Sequence, residues 1–261
     1  TPVVYKSRPM LVTCTREASF MPDRTKMRLI VFDLHTGKQV SEFGEGHSFV
    51  SAFVNGDELN VWASEFTAND MTKTGSIYRF SSTDLKEWKR EIAITAEDGE
   101  HLYNSSLCRD DSGYLMTYET DKPVQFCFRF ARSKDLVRWE KIPGLTFTGT
   151  GNEYSACPAV RYFAPYYYVI YLHTAIPGHN GYVSFLARSK DLVAWELSSK
   201  NPILEAGEGA DIREDLGPFA RDPERAGLRA QEGQEGCRGI EERGIAHAVQ
   251  PHALPVELRA G

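Results

Sequence analysis

The amino-acid sequence predicts an all-β fold built from repeated four-stranded sheets, as in a β-propeller. The first observation is a repeated motif, S-x-D-L-x-x-W, whose aspartates are Asp84, Asp135 and Asp191. These aspartates lie 51 and 56 residues apart, a period typical of propeller blades. The second observation is that each motif follows an alternating apolar run and precedes another short run, which indicates a strand, a turn and a strand.

A further pair of strands precedes each motif. The pairs are "SFVSAFV" with "ELNVWAS", "NSSLCR" with "YLMTYE", and "ACPAVRYF" with "YYYVIYL". The turns between them carry "NGD", "DDSG" and "AP", and Gly, Asn and Asp accept the left-handed conformations that tight hairpins need. Four antiparallel strands form one blade, and we place three blades at residues 46–98, 99–148 and 149–205.

The motif is predicted to be structural. Serine and aspartate side chains accept hydrogen bonds from turn backbone. The tryptophans Trp88, Trp139 and Trp195 can cover the adjoining strand pair with their large apolar rings. We therefore expect these three side chains at equivalent positions, between the third and fourth strands of their blades.

The first 45 residues fit one more, less regular copy. "MLVTCTRE" matches a second strand and "MRLIVFDL" a third, while "HTGKQV" replaces the tryptophan-bearing turn. No innermost strand is recognisable, so we expect a partial first blade at residues 1–45 that begins partway through its pattern. The predicted propeller domain spans residues 1–205.

The composition changes in residues 206–261. This segment has no Lys, Ser, Thr, Asn, Tyr, Trp or Met, and Phe219 is its only aromatic residue. One interpretation is a disordered or weakly helical tail, since low hydrophobicity cannot offset the entropy of ordering. The other, which we favour because a propeller has to close, is a change of reading frame that replaces the next blade. Either way we predict a non-propeller tail with no regular fifth blade.

Charge and composition exclude several classes of protein. The net charge of −6 argues against a nucleic-acid partner, which would require a clustered basic face. No apolar run is long enough for a membrane helix, and "TPVVYKSRPM" has no signal-peptide order. We expect a soluble chain, with cytoplasm favoured over secretion, although the compartment stays open. The five cysteines show no CxxC pair, so we expect buried free thiols.

The motif together with "CPAVRYFAPYYYVIYL" resembles the five-bladed propeller glycoside hydrolases, namely the arabinanase/β-xylosidase group and its invertase-like relatives. The resemblance covers about residues 10–205. Sialidases have a similar turn, but theirs carries Gly where this chain has Lys86, Arg138 and Ala194. The resemblance therefore implies a five-bladed propeller, of which about four blades are recognisable here, and a carbohydrate as substrate.

The resemblance also implies three carboxylates around the axial funnel, one of them a Glu acid two residues before a Pro. Here the matching proline is Pro158, and Ala156 occupies the acid position. The nearest carboxylate, Glu153, is displaced by three residues, and no "DP" stretch opens the first blade. We therefore expect the chain to hydrolyse glycosides poorly or not at all.

Polar side chains gather where the second strands end and the first strands begin. Alignment of "LVTCTR", "NVWASE", "YLMTYE" and "YVIYLH" predicts one equivalent position for the following residues: Arg16, Glu65, Glu119 and His173. The first strands add His47, Asn104 and Glu153. These residues are either a sugar site or ordinary polar strand ends exposed to solvent.

Glycoside hydrolysis uses one protonated carboxyl group and one carboxylate. We predict Glu153 as the acid and Glu119 as its catalytic partner. The predicted sugar-binding residues are Arg16, His47, Glu65, Asn104 and His173. We predict no cofactor and no metal, although His47 or His173 offers an imidazole to a cation.

The leading functional hypothesis is a glycoside hydrolase-like propeller acting on, or descended from enzymes acting on, plant-type pentose or fructose glycans. Two alternatives stay open: a non-catalytic carbohydrate-binding propeller and a protein-interaction scaffold. Whether the chain is an enzyme, which sugar it binds and its oligomeric state are not given by the sequence.

Overall fold

The computed structural model describes residues 1–17, 19–124, 126–149, 155–174 and 182–205. These residues form four antiparallel sheets, and each sheet contains four strands in chain order. The predicted all-β propeller class is confirmed, with four blades where the family resemblance implied five. The predicted tail at 206–261 lies outside the described residues.

The first two blades contain strands β1 to β8. Blade 1 consists of β1 (Pro2–Tyr5), β2 (Arg8–Thr15), β3 (Arg28–Asp33) and β4 (Lys38–Phe43). Blade 2 consists of β5 (His47–Asn55), β6 (Glu58–Phe66), β7 (Thr74–Ser82) and β8 (Lys89–Ile94). A single 3₁₀ turn at Arg24–Lys26 interrupts the β2–β3 connection.

The third and fourth blades contain strands β9 to β16. Blade 3 consists of β9 (Leu102–Asp110), β10 (Gly113–Thr120), β11 (Cys127–Ser133) and β12 (Glu140–Phe147). Blade 4 consists of β13 (Ser155–Phe163), β14 (Tyr166–His173), β15 (Val183–Ser189) and β16 (Trp195–Leu197). Within the described residues no helix is long and apolar enough to span a membrane.

The expectation that blade 1 has no innermost strand is wrong. Strand β1 pairs with β2 from Pro2↔Leu11 to Tyr5↔Arg8. It has only four residues, against nine in each of β5, β9 and β13. A strand this short leaves too little alternation to be recognised in the sequence, because only two side chains point to each face.

The repeated motif forms the same turn in blades 2, 3 and 4. In blade 3, Ser133 Oγ accepts a hydrogen bond from the Leu136 N–H at 2.9 Å, and Asp135 Oδ1 accepts from Arg138 N–H at 2.8 Å. The leucine of each copy has a left-handed backbone: φ is 63° at Leu85, 67° at Leu136 and 65° at Leu192. The serine and aspartate therefore hold a turn that would otherwise be strained.

Each motif tryptophan also joins its blade to the preceding one. Trp88 stacks on Phe43 of blade 1, with ring centroids 3.6 Å apart. Trp139 meets Trp62 of blade 2 edge-on at 6.2 Å. Trp195 stacks on Phe130 of blade 3 at 6.0 Å. Trp88 and Trp139 lie between the third and fourth strands as predicted, and Trp195 is the first residue of the fourth strand, β16. In all three blades the motif tryptophan therefore packs against an aromatic ring of the preceding blade.

The hydrophobic core consists of layers between neighbouring blades. The layer between blades 1 and 2 includes Val12, Val31, Val61 and Phe80. The layer between blades 2 and 3 includes Trp62, Ile77, Met116 and Tyr118. The layer between blades 3 and 4 includes Phe128, Phe130, Val169 and Tyr171. Burial between sheets, rather than within any one sheet, therefore supplies the apolar stabilisation.

Candidate functional site

The described residues of the predicted site lie at or near strand ends, on the side of the propeller that we call the funnel face. It is the face at which the inner strands β5, β9 and β13 begin and the second strands β6, β10 and β14 end, as the pairs His47↔Glu65 and Ser155↔His173 show. The side-chain contacts, however, divide the described residues into separate groups. The predicted acid, Glu153, lies outside the described residues.

The predicted equivalence of Glu119 and His173 is wrong by one residue. In the pairing of second and third strands, Tyr114 lies opposite the motif serine Ser133, and Tyr167 lies opposite Ser189. Six residues further along, these strands reach Thr120 and His173. Thr120, rather than Glu119, therefore corresponds to His173. Because successive side chains in a strand point to opposite faces of the sheet, the Glu119 and His173 side chains lie on opposite faces of their blades.

Glu119 is a buried carboxyl group whose two oxygens differ. Its side chain is 2% exposed, and Oε2 accepts hydrogen bonds from Asn104 Nδ2 at 2.9 Å and from the Cys157 backbone N–H at 3.0 Å. Oε1 has no hydrogen-bond partner among the described residues. One oxygen is therefore fixed by two N–H donors, whereas no described residue holds the other.

The backbone of β13 explains the second of these bonds. The pairing of β13 with β14 shifts between Ala156 and Ala159, and Cys157 within this bulge has a φ of 50°. A bulge releases backbone groups from the ladder, and Pro158 has no N–H to donate. The Cys157 N–H is thus turned across to the neighbouring blade, where Glu119 accepts it.

Burial sets the protonation of Glu119. Desolvation raises the pKa of this carboxyl group from 4.5 to about 7, and the hydrogen bonds from Asn104 and the Cys157 N–H partly oppose the rise. A carboxyl group with a pKa near neutrality is present both as an acid and as a carboxylate under ordinary conditions. This behaviour fits a proton donor better than the permanently charged partner that we predicted for Glu119.

Arg16 and Cys157 lie close enough to influence each other's charge. Both are solvent-exposed, but desolvation by the surrounding protein lowers the pKa of Arg16 and raises the pKa of the Cys157 thiol to about 12, with a further rise from Glu119. Arg16 and Cys157 therefore share one stretch of surface, which we call the Arg16 wall. The Arg16 guanidinium lies 5.2 Å from the centre of the Phe49 ring, a cation–π distance.

The cysteine prediction needs one correction at this wall. Cys14, Cys108, Cys127 and Cys157 are free thiols as expected. Cys108 and Cys127 are buried as expected, whereas Cys14 is only partly buried and Cys157, within the bulge, is exposed. Cys157, between Ala156 and Pro158, supplies the backbone donor to Glu119.

His47 and Glu65 belong to a second group, between blades 1 and 2. Arg90 links them: its NH2 lies 3.3 Å from Glu65 Oε1 and 3.3 Å from His47 Nε2. Burial lowers the pKa of His47, so its imidazole is neutral at neutral pH. Neither residue shares a hydrogen-bond partner with Glu119 in the described part of the chain. Arg90 was not among the predicted site residues, because it lies on the outermost strand, β8.

His173 packs within blade 4. It is fully buried, its Nδ1 lies 2.8 Å from the Thr174 carbonyl oxygen, and its ring centroid is 5.0 Å from that of Phe185. Within the described ranges, no group of three His, Cys, Asp or Glu side chains is arranged to hold a metal ion.

Comparisons with known proteins place this geometry in context. No protein-family model matches the sequence, and no curated protein matches it significantly. Among solved structures, a glycoside hydrolase superposes with a TM-score of 0.60 at 12% identity, over 81% of this chain and 76% of that protein. The chain has the β-propeller fold of glycoside hydrolases.

Two further enzymes share this fold. The GH43 endo-arabinanase from Bacillus licheniformis has a TM-score of 0.51 at 11% identity, over 74% of this chain and 71% of the enzyme. The Bombyx mori GH32 β-fructofuranosidase BmSUC1 has a TM-score of 0.55 at 13% identity. The match covers 75% of this chain but only 47% of BmSUC1. The two enzymes belong to the arabinanase and invertase-like groups that the motif resembles.

Proposed function

We propose that this chain is a glycoside hydrolase-like propeller that binds a pentose- or fructose-containing glycan at the funnel face, with Glu119 as the proton donor of the site. The observation that carries the proposal is the state of Glu119: a buried carboxyl group with one oxygen fixed by two N–H donors, the other oxygen without a partner among the described residues, and a pKa raised to about 7. The shared propeller fold supports a glycan as the ligand.

The hydrogen bonds decide which oxygen carries the proton. Oε2 already accepts from Asn104 and from the Cys157 N–H, so a proton placed there would compete with two donors. The neutral form of Glu119 therefore carries its proton on Oε1, the oxygen without such partners. A general acid works best when its pKa lies near the operating pH, and Glu119 meets this condition through burial, as catalytic carboxyl groups commonly do.

Neighbouring side chains complete the proposed site. Asn104 is a positioning residue, because its Nδ2 fixes the Glu119 carboxyl plane at 2.9 Å. Arg16 presents a guanidinium at the mouth of the same wall, where its N–H groups can donate to sugar hydroxyls. Phe49, beneath Arg16 at 5.2 Å, keeps this guanidinium in place.

A second candidate function is carbohydrate binding without hydrolysis. Ala156, at the position where the resemblance implies an acid, is buried and carries no carboxyl group. Among the described residues, no second carboxylate contributes to the pKa of Glu119, whereas hydrolysis requires a pair of carboxyl groups roughly 5 to 9.5 Å apart. Glu153 is the partner that we propose for such a pair. With Glu119 alone we expect binding and, at most, slow turnover.

The experiment measures binding and turnover together. Aryl arabinofuranosides, aryl xylosides and fructans are assayed with the wild type, Glu119→Gln, Glu153→Gln and Arg16→Gln. The matched control is Glu196→Gln, an exposed glutamate paired with Arg188 at 2.8 Å. We expect Arg16→Gln to weaken glycan binding about tenfold, the loss of roughly one charged hydrogen bond, and the control to bind like the wild type.

The outcomes separate the two candidates. Turnover that disappears in Glu119→Gln and persists in Glu196→Gln supports the hydrolase. Binding without turnover in the wild type, weakened by Arg16→Gln, supports the binding protein. Absence of both binding and turnover with every glycan, or binding that Arg16→Gln and Glu119→Gln leave unchanged, contradicts the proposed site.

A further inference from the structure

A cavity lies in the groove between blades 1 and 2, with a volume of about 500 Å³. It is lined by parts of the β4–β5 connection, by the ends of β5 and β6, and by β8. Its walls include Phe43, Trp88, His47, Glu65, Arg24 and Arg90. A volume of this size is within the range of small-molecule sites.

Trp88 departs from the other two motif tryptophans. Trp139 and Trp195 each donate their indole N–H to a carbonyl oxygen of their own turn, at 3.0 Å. Trp88 instead donates to Ser41 Oγ of blade 1 at 2.9 Å, and Ser41 donates to the Leu85 carbonyl oxygen at 2.7 Å. This relay through Ser41 fixes the indole nearly parallel to Phe43, at an interplanar angle of 11°. The groove thereby gains a rigid aromatic wall.

The opposite wall carries fixed polar groups. The Arg90 guanidinium lies over the Tyr78 ring at 3.8 Å and contacts both Glu65 and His47 at 3.3 Å. The Nδ1 atom of His47 lies 2.7 Å from the Glu45 carbonyl oxygen, so that this nitrogen carries the proton and Nε2 is an acceptor. The wall therefore offers carboxylate oxygens and guanidinium N–H groups side by side.

The charges of this cavity balance. The residues that line it include two guanidiniums, Arg24 and Arg90, and two carboxylates, Glu45 and Glu65. Glu45 also pairs with Arg28, outside the lining, at 2.9 Å, and the imidazole of His47 is neutral. A phosphate or a uronate would meet two carboxylates, and an amine would meet two guanidiniums. A ligand that carries no charge but many hydroxyl groups can donate to the carboxylates and accept from the guanidiniums, while its C–H faces pack on the aromatic wall.

We propose that the groove between blades 1 and 2 is a second site, separate from Glu119, that binds a neutral mono- or disaccharide. The site is built from blade 1 and blade 2 residues and, in the described part of the chain, shares none of the hydrogen bonds of Glu119. It therefore stands whether or not Glu119 takes part in glycan binding or hydrolysis. In a glycan-binding protein, such a site would hold a branch or a second chain beside the Glu119 site.

The test uses the Trp88 indole N–H as a local probe. Its NMR signal is assigned by comparison with Trp88→Phe, and its chemical shift is followed during titration with arabinose, xylose, fructose and galactose. Glucuronate and inorganic phosphate are the charged comparators. The variants are Glu65→Gln and, on the exposed rim, Arg24→Gln. Glu119→Gln and Glu196→Gln are the controls, and thermal unfolding verifies the fold of each variant.

We expect at least one neutral sugar to shift the Trp88 signal saturably, with an affinity about tenfold lower in Glu65→Gln or Arg24→Gln and unchanged in both controls. If Glu65→Gln fails to fold, Arg24→Gln alone decides. The proposal is overturned if no neutral sugar saturates the signal, if glucuronate or phosphate binds more tightly than every neutral sugar, or if both cavity variants bind like the wild type. Loss of the shift in Glu119→Gln would also overturn it, because the two sites would then not be separate.

Discussion

Replacement of Glu119 by Gln should stabilise the protein at alkaline pH and leave its stability almost unchanged at acidic pH. Gln has the shape of a protonated Glu, and its side-chain oxygen can accept the same hydrogen bonds from Asn104 and the Cys157 N–H. It cannot ionise. The substitution therefore removes the cost of burying a negative charge while it preserves the fixed geometry of the site.

The magnitude follows from the pKa of Glu119, which burial raises from 4.5 in the unfolded chain to about 7 in the folded protein. A pKa difference of one between the two states corresponds to about 1.4 kcal/mol. Below pH 4.5 the carboxyl group is neutral in both states, and the wild type has its full stability. As the pH rises from 4.5 towards 7, the unfolded state ionises while the folded state stays protonated, so the wild type loses stability over this window, and the loss levels off at roughly 3 kcal/mol above pH 7.

Urea unfolding at pH 4.5, 6, 7 and 8.5 measures this difference. We expect the free energy of unfolding of Glu119→Gln to exceed that of the wild type by an amount that grows with pH and approaches roughly 3 kcal/mol at pH 8.5. Glu196→Gln, at a side chain 58% exposed, should show no such growth. A difference that stays constant across this range would refute the assignment of a raised pKa to Glu119.

Three further predictions concern the scaffold. Ser133→Ala removes the acceptor of the Leu136 and Asp135 N–H groups and should cost about 1 kcal/mol in urea unfolding; an unchanged midpoint would show that the turn does not need this serine. Ser7 has a left-handed backbone, with a φ of 62°, in the β1–β2 hairpin. Ser7→Gly should remove the strain of this conformation and stabilise the protein by roughly 1 kcal/mol. A lower melting temperature would contradict the short β1–β2 hairpin. The Glu100 side chain is 0% exposed and pairs with Arg129 at 3.0 Å and with Lys141 at 3.1 Å. Glu100→Gln removes the negative charge of both ion pairs and should lower the free energy of unfolding by about 3 kcal/mol. A loss below about 1 kcal/mol would show that these pairs contribute little.

The fold could be predicted because its information is local and repeated. The turn built on Ser133 and Asp135 recurs in three blades with the same hydrogen bonds, and hydrophobic alternation marks most of the strands. Strand β1 was missed because Pro2–Tyr5 is too short for a recognisable pattern. Strand β1 is stabilised by its pairing with β2, and the sequence of residues 2–5 alone does not predict this pairing.

The candidate site could be predicted only in part, because side-chain direction depends on register. Glu119 was correctly assigned to a strand end, but the sequence alignment placed it level with His173, whereas pairing with the third strands puts it one residue short of that position. A shift of one residue reverses the face to which a side chain points. The grouping of His47 with Arg90 likewise depends on contacts between an inner and an outermost strand.

The role of Cys157 illustrates a different limit. Its contribution is a backbone N–H, so no side-chain chemistry identifies it. The following proline was the only available signal, because Pro158 cannot complete the ladder and favours a local irregularity. A bulge before a proline at the start of an inner strand is therefore a feature to inspect when a propeller sequence has no carboxylate at the usual position.

The most direct test of the proposed site is a titration of the Glu119 side-chain carboxyl carbon by ¹³C NMR, assigned with Glu119→Gln, in the absence and presence of an arabino- or fructo-oligosaccharide. Burial should give a midpoint near pH 7 in the free protein. If the neutral acid donates from Oε1 to the glycan, ligand binding should move the midpoint to higher pH, because the bound state favours the protonated form. A midpoint near 4.5, or one that a saturating glycan leaves unchanged, would contradict the proposal that Glu119 is the proton donor of a glycan site.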